Sequence, residues 1–327
     1  MFSMGLFVDR LSVTLEVPVC EREETKARLE ELSNDGVINR EQYRSSKLLI
    51  GYRRAFRIPL GEGYSCVLQI EPHGKYKGSR YMRLEWNPHR AGRVALNPPQ
   101  IIQDVLRFCV PSYTEDYLLN GRYTRLDFAF DLYRVPVESI IVFTLLRRSV
   151  SGRYYSPREV YDKTGYLNSQ EIGDPESDRY LLIYDKRAER IYRKFEGNDE
   201  AYWNLLNGSS VRRLVPITRF EIRLRDIEDI RDFVHHGENP FENYEVQVFE
   251  NLPQVRDDFF RSLLIDAAKK AGAYAVVSRE RDRRKRKQLK EFLLEGPPPS
   301  WWNPKHLWEQ APSSIERAIG CPNAFDH

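Results

Sequence analysis

The sequence predicts an α+β protein: a central antiparallel sheet, helices packed on one face of it, and a helical C-terminal region. Three observations carry that reading. Runs at 7–17, 122–133 and 212–225 alternate apolar and polar residues with the period of two that a strand imposes. Runs at 21–33 and 97–108 carry the composition and spacing of helices instead. A long polar stretch, 254–294, ends in Gly296-Pro297-Pro298-Pro299 and so reads as a separate helical region with a stop behind it.

The elements follow in chain order. In 7–17, Asp9, Leu11, Val13, Leu15 and Val17 share one face, and Arg10, Ser12, Thr14 and Glu16 the other, which describes a half-buried strand. Pro18 ends it. Residues 21–33 put acids in a first helical turn, and Asn34-Asp35-Gly36 stops them. Strand-like runs at 47–58, 63–71 and 80–87 are joined by turns at Gly61/Gly63 and Gly74/Gly78, an antiparallel meander. Asn97-Pro98-Pro99 opens the next helix.

In 122–133, Leu126, Phe128, Phe130 and Leu132 build core, while Arg125, Asp127, Ala129 and Asp131 share the opposite face. Asp is depleted in strands, so two on one face call for an explanation. Val137 to Arg148 reads as a helix, and 150–177 as a loop-rich cover or insertion. A strand then leads to Tyr184, with Tyr180, Leu182 and Tyr184 on one face and Leu181 and Ile183 on the other. Residues 187–206 read as a helix. In 212–225, Phe220, Ile222 and Leu224 oppose Arg219, Glu221, Arg223 and Arg225, and a helix follows from Ile227 to about Val234. Residues 254–294 read as one or two helices. The tail carries Trp301, Trp302 and Trp308 and either docks on the body or meets a partner.

Composition narrows the classes. The 327 residues suffice for one large domain or two ordinary ones. With 41% hydrophobic and 30% charged residues, the chain belongs with folded soluble proteins. No apolar run approaches the ~18 residues of a membrane span, and the N-terminus lacks the basic and apolar regions of a secretory signal, so the expectation is a cytoplasmic protein with no membrane partner. Cys20, Cys66, Cys109 and Cys321 stand far apart, and the six histidines form neither HxH nor HExxH. Any metal is therefore expected to be a hard one held by carboxylates. Net charge is only +3, but Lys and Arg concentrate near 179–194 and in 279–290. The second run reads either as a solvated helix or as a contact for DNA phosphates through Lys285, Arg286 and Lys287.

If the three charged strands lie side by side, Asp127, Asp131, Glu221 and Tyr184 share a face. Carboxylates would hold Mg2+ or Mn2+, a phenol would attack a phosphodiester, and Lys186 would stabilise its negative charge. Arg125, Arg219 and Arg223 would hold DNA phosphates or steady the acids. The alternative is that Asp127 pairs with Arg125 or Arg223, that Glu221 pairs with Arg219, and that the Tyr184 strand ends in a solvated charged turn.

Four segments, in this order, carry a family resemblance: VDRLSVTLEV, TRLDFAFDLY, SDRYLLIYDKRAER and ITRFEIRLRD. Over roughly residues 5–250 the chain resembles the rolling-circle replication initiators of the replication-initiation-factor (Rep_trans) family of small plasmids and filamentous phages, related to conjugative-element relaxases. The resemblance implies a sheet like that of the HUH enzymes, here without the His-x-His motif, and a nucleophilic tyrosine at Tyr184. It implies metal ligands at Asp127 and Glu221, with Asp131 beside them. The activity it implies is nicking and rejoining of one strand at a cognate origin through a covalent 5′-phosphotyrosine. A relaxase that starts conjugative transfer, or a DNA-binding regulator without catalysis, are the other readings. Expected partners are origin DNA, duplex and single-stranded at the nick, a second copy of the chain, and a host helicase and polymerase. Expected domains are a nicking domain at 1–250, with related halves about 1–150 and 151–250, then a basic helical region at 251–295 and a Pro/Trp-rich tail at 296–327.

Overall fold

The alternating runs do become strands. The computed structural model describes residues 5–41, 51–61, 63–74, 78, 80–92, 97–145, 169–173, 179–187, 189, 215–252, 259–271 and 273–325. Its strands are β1 (Phe7–Leu15), β2 (Asn39–Arg40), β3 (Tyr52–Gly61), β4 (Tyr64–Pro72), β5 (Met82–Trp86), β6 (Arg122–Tyr133), β7 (Ile140–Thr144), β8 (Ser169–Ile172), β9 (Arg179–Asp185), β10 (Ile217–Leu224) and β11 (Tyr244–Val248). Its helices are α1 (Arg22–Asn34), α2 (Pro88–Ala91), α3 (Pro98–Cys109), α4 (Ile230–His236), α5 (Phe259–Ala271), α6 (Ala273–Ser278), α7 (Arg283–Leu293), α8 (Pro304–Glu309) and α9 (Ala311–Ile319). The result is a mixed α/β fold built on antiparallel sheet, with helices at its C-terminal end.

Two compact units divide the chain. An amino-terminal unit holds Leu6–Phe128, Arg223–Glu238 and Gln310–His327; a central unit holds Met1–Gly5, Ala129–Ile222 and Asn239–Glu309. Both are discontinuous in sequence, because β6 and β10 each run through the two.

In the amino-terminal unit the strand order is β2-β3-β4-β5-β1-β6, and the expected meander pairs antiparallel from β2 through β5 to β1. Leu11, Val13, Phe56, Leu68 and Leu84 are fully buried, as are Ile102 and Leu106 of α3. The polar face of β1 is not solvated as a half-buried strand would be. Ser12 and Thr14 are buried, and hydrogen bonds account for it: Ser12 Oγ lies 2.9 Å from Thr124 Oγ1 and accepts from Arg83 Nε at 2.9 Å. The end of the chain docks on this unit. Ser314 Oγ donates to the Leu6 carbonyl at 2.7 Å, and Gln103 Nε2 donates to the Ile319 carbonyl at 2.8 Å. Gly320 caps α9 at φ +74, where a Cβ would stand 2.7 Å from Pro99.

In the central unit the order is β6-β10-β9-β8, with β7 and β11 paired separately. Two expectations fail here. Residues 137–148 do not begin a helix: Val137–Ser139 is a single 3-10 turn and β7 follows. The run IIVFT is β-branched and buried on both faces, and its partner β11 lies about a hundred positions away, so no local periodicity announces it. The stretch 150–177, read as loop, contains β8, which pairs with β9 from Ser169↔Tyr184 to Ile172↔Leu181. The helix expected over 187–206 lies almost wholly outside the described residues. Across 254–294 the described residues carry α5, α6 and α7, and Asp282 caps α7 by accepting from Arg284 N and Lys285 N.

Trp301 and Trp302 of the tail are core residues. Phe130 and Phe220 stack at 5.0 Å, and Trp301 and Trp302 lie 5.4 and 5.7 Å from Phe220. The Gly-Pro run leading to them is held down: Gln247 Nε2 donates to the carbonyls of Glu295, Gly296 and Pro297, and Gly296 takes φ +100. No helix among the described residues is long and apolar enough to cross a membrane.

Phe220→Ala opens a cavity under both indoles and is expected to cost ~3–5 kcal/mol in urea unfolding. A second prediction concerns pH. Burial pushes the Glu85 carboxyl up, but Arg10 and Arg83 outweigh it, and the net direction is down. A depressed carboxyl contributes stability above its unfolded pKa, about 4.3, and loses it as pH falls through the folded value. Glu85→Gln should therefore be less stable than the parent at pH 7, with the gap closing below about pH 4.

Candidate active site

Strand β9 buries Leu181 and Ile183 completely and leaves Tyr184 partly exposed near its end. The chain then turns at once. Asp185 Oδ1 accepts from Arg187 N at 2.8 Å, and its Oδ2 meets Arg187 Nη2 at 3.0 Å, a turn closed by a side chain. That turn folds Lys186 back over the preceding tyrosine. Lys186 Nζ donates to Tyr184 Oη at 3.2 Å and stands 5.3 Å from its ring centroid. Lys186 is only 4% exposed, and a buried ammonium needs partners. Glu189, one helical turn on, supplies the other: its Oε2 lies 2.8 Å from Nζ. From β10, Glu221 Oε2 accepts from Tyr184 Oη at 3.4 Å. The phenol oxygen thus accepts from an ammonium and donates to a carboxylate.

Five other tyrosine phenols are held away from ionisation. Burial pushes Tyr81 and Tyr113 up to about 12 and raises Tyr117, Tyr123 and Tyr244 further. Tyr180, on the same strand as Tyr184, is 3% exposed.

The remaining charged positions form buried pairs. In the central unit Arg219 Nε and Nη2 donate to the two oxygens of Asp131 at 2.6 and 2.8 Å, and both residues are 1% exposed. In the amino-terminal unit Arg125 Nε reaches both oxygens of Asp127 at 2.9 Å, and Arg223 Nε lies 3.5 Å from Oδ1. Arg219 therefore ties neighbouring strands together from inside the protein, and Arg125 and Arg223 are turned onto Asp127. Of the two arrangements open from sequence, the structure contains the pairing of Asp127 with Arg125 and Arg223. Lys285, Arg286 and Lys287 are exposed on α7.

The three acids do not fit a shared Mg2+ or Mn2+ cage. Guanidinium groups already occupy Asp127 and Asp131, and Glu221 faces Tyr184. No group of three His, Cys, Asp or Glu poised for a metal occurs among the described residues. Sequence reasoning brought Tyr184, Lys186 and Glu221 together and gave Glu189 no role. The signal for Glu189 was its i,i+3 spacing from Lys186.

No protein-family model matches the chain, and no curated protein does. Among solved structures, a rolling circle replication initiator protein from Geobacillus stearothermophilus aligns at 13% identity and a TM-score of 0.39, over 81% of this chain and 96% of that one.

Removing one member of a buried pair strands the other. Asp131→Asn should cost ~3–5 kcal/mol in chemical denaturation, whereas Asp131→Leu combined with Arg219→Met should recover most of that loss.

Proposed function

We propose that this chain nicks and rejoins one strand of DNA, with Tyr184 as nucleophile, as the initiator of rolling-circle replication at its cognate origin. The observation that carries the reading is the placement of Tyr184 Oη between the Lys186 ammonium at 3.2 Å and the Glu221 carboxylate at 3.4 Å. The motif order over residues 5–250 supports it.

Tyr184 Oη attacks phosphorus and passes its proton to Glu221 as the new bond forms. The bond from phosphorus to the 3′ oxygen breaks, that oxygen leaves with the bonding electrons, and it takes a proton from water. Lys186 stabilises negative charge on the phenol oxygen during attack, and Glu189 keeps the ammonium in place. The products are a 5′-phosphotyrosine and a free 3′-OH. The reverse attack, by a 3′-OH on the phosphotyrosine, reseals the strand without ATP. The exposed cations Lys285, Arg286 and Lys287 contact origin DNA, a second copy of the chain supplies the tyrosine for termination, and a host helicase and polymerase extend the 3′ end. No step here passes through a metal.

The test is nicking of supercoiled plasmid carrying the gene and its flanking DNA, in Mg2+, in Mn2+ and in chelator. Tyr184→Phe is expected to lose ~10³-fold or more in rate, and Lys186→Ala and Glu221→Gln ~10²-fold each. Tyr184→Phe nicking at the parental rate would move the nucleophile elsewhere. Binding of the same DNA without nicking would favour a regulator.

A further inference from the structure

In the nicking step the oxygen that leaves is harder to serve than the oxygen that attacks. A phenol gives up its proton at pKa ~10, whereas an alcohol holds its proton about as tightly as water does, at ~15.7. Displacing an alkoxide with a phenolate is therefore uphill unless the leaving 3′ oxygen gains a proton as its bond to phosphorus breaks.

Strands β8, β9 and β10 carry three carboxylates, Glu171, Asp185 and Glu221. Glu221 faces the phenol. Asp185 alternates with Tyr184 onto the opposite face and closes the turn through Arg187. Glu171 belongs to β8, on the other side of β9 from Glu221. The register fixes its direction. Ser169 pairs with Tyr184, Gln170 with Ile183 and Glu171 with Leu182. Residues paired across an antiparallel ladder point to the same face, as do alternate residues of one strand. Ser169 and Glu171 therefore stand on the face of Tyr184. Gln170 points the other way, and its Nε2 donates to the carbonyls of Val137 and Ile140 at 3.2 and 3.0 Å, which holds β8 in this register. Glu171 and Tyr184 are thus diagonal neighbours, a relation that puts Cβ atoms about 7 Å apart and keeps long side chains within reach of a common ligand.

Burial on this face points to an arriving polar group. Ser169 is 5% exposed, and its Oγ has no hydrogen-bond partner among the described residues. A buried hydroxyl without a partner is costly, and a water or a phosphate oxygen beside Tyr184 supplies one. Glu171 is 9% exposed, no more buried than Glu221 at 6%, whose oxygen does reach the phenol. Removal from water favours the neutral form of a carboxyl, the form that a proton donor needs.

We propose that Glu171 is the proton donor to the leaving group: its carboxyl passes a proton, through one water, to the 3′ oxygen as that oxygen parts from phosphorus. The role rests on the nicking by Tyr184 proposed above. The Tyr184 proton goes to Glu221 and the Glu171 proton to the leaving oxygen, so nicking ends with Glu171 ionised and Glu221 neutral. Resealing runs both transfers backwards. Glu171 takes the proton of the attacking 3′-OH, and Glu221 returns one to the phenol.

The test changes the leaving atom. An oligonucleotide spanning the nick is made once with the ordinary 3′ oxygen and once with a bridging 3′ sulfur. A thiol of pKa ~8.5 leaves as the thiolate and needs no proton. Single-turnover cleavage by Glu171→Gln is expected to be ~10²-fold slower than the parent on the oxygen substrate, and within about threefold of the parent on the sulfur substrate. That second result also shows the variant to be folded. Glu171→Asp, which keeps a carboxyl, should recover part of the loss on oxygen. Glu221→Gln acts on the attacking phenol and should stay slow on both substrates. Glu171→Gln at the parental rate on oxygen, or equally slow on both substrates, overturns the proposal. A parent chain that cleaves neither substrate contradicts nicking itself, whereas a parent that cleaves and a Glu171→Gln chain that matches it contradict only the role of Glu171.

Discussion

An ammonium buried to 4% exposure has to be shared among acceptors, and in this protein the acceptors are a phenol and a carboxylate. That constraint organises the end of β9. The side-chain-closed turn at Asp185 folds Lys186 back, Glu189 holds it from the next turn, and the ammonium is left against Tyr184. The same rule runs along β6 and β10. Asp131 answers Arg219, and Asp127 answers Arg125 and Arg223, so alternating charge on these strands is tolerated inside the protein because each charge finds its opposite. Tyr184 and Glu221 meet at the point where this neutralising pattern gives way to a proton donor and a carboxylate.

Much of this was legible in the chain. Period-two patterning gave β1, β6, β9 and β10, because each alternates cleanly enough to be read without its neighbours. The helices α1 and α3 announced themselves by acids in a first turn and by prolines at an opening. What stayed hidden depended on distant partners. Strand β7 is an unbroken apolar run, which period alone does not distinguish from a buried helix; β11, which settles it, lies about a hundred positions on. The burial of Ser12 and Thr14 required Arg83 and Thr124, each supplied by another strand.

The site was legible in its membership more than in its chemistry. Tyr184, Lys186 and Glu221 stand out as polar groups at strand ends and on strand faces. The roles given to Asp127 and Asp131 as metal ligands came from two acids on one strand face, and the family resemblance pointed the same way. From sequence, an acid beside an arginine on a facing strand is equally a ligand steadied by a cation and one half of an ion pair. In the structure guanidinium groups take up both Asp127 and Asp131. With Asp127 and Asp131 so engaged, the Glu221 oxygen that faces Tyr184 serves the phenol better as proton acceptor than as the lone remnant of a cage.

The most direct measurement is identification of the covalent adduct. The chain is incubated with a single-stranded oligonucleotide spanning the nick, digested with nuclease and protease, and read by tandem mass spectrometry. If Tyr184 is the nucleophile, one peptide, the one containing Tyr184, carries a 5′-linked nucleotide on its phenol oxygen. An adduct on another tyrosine, or efficient cleavage with no protein-linked nucleotide, contradicts that assignment.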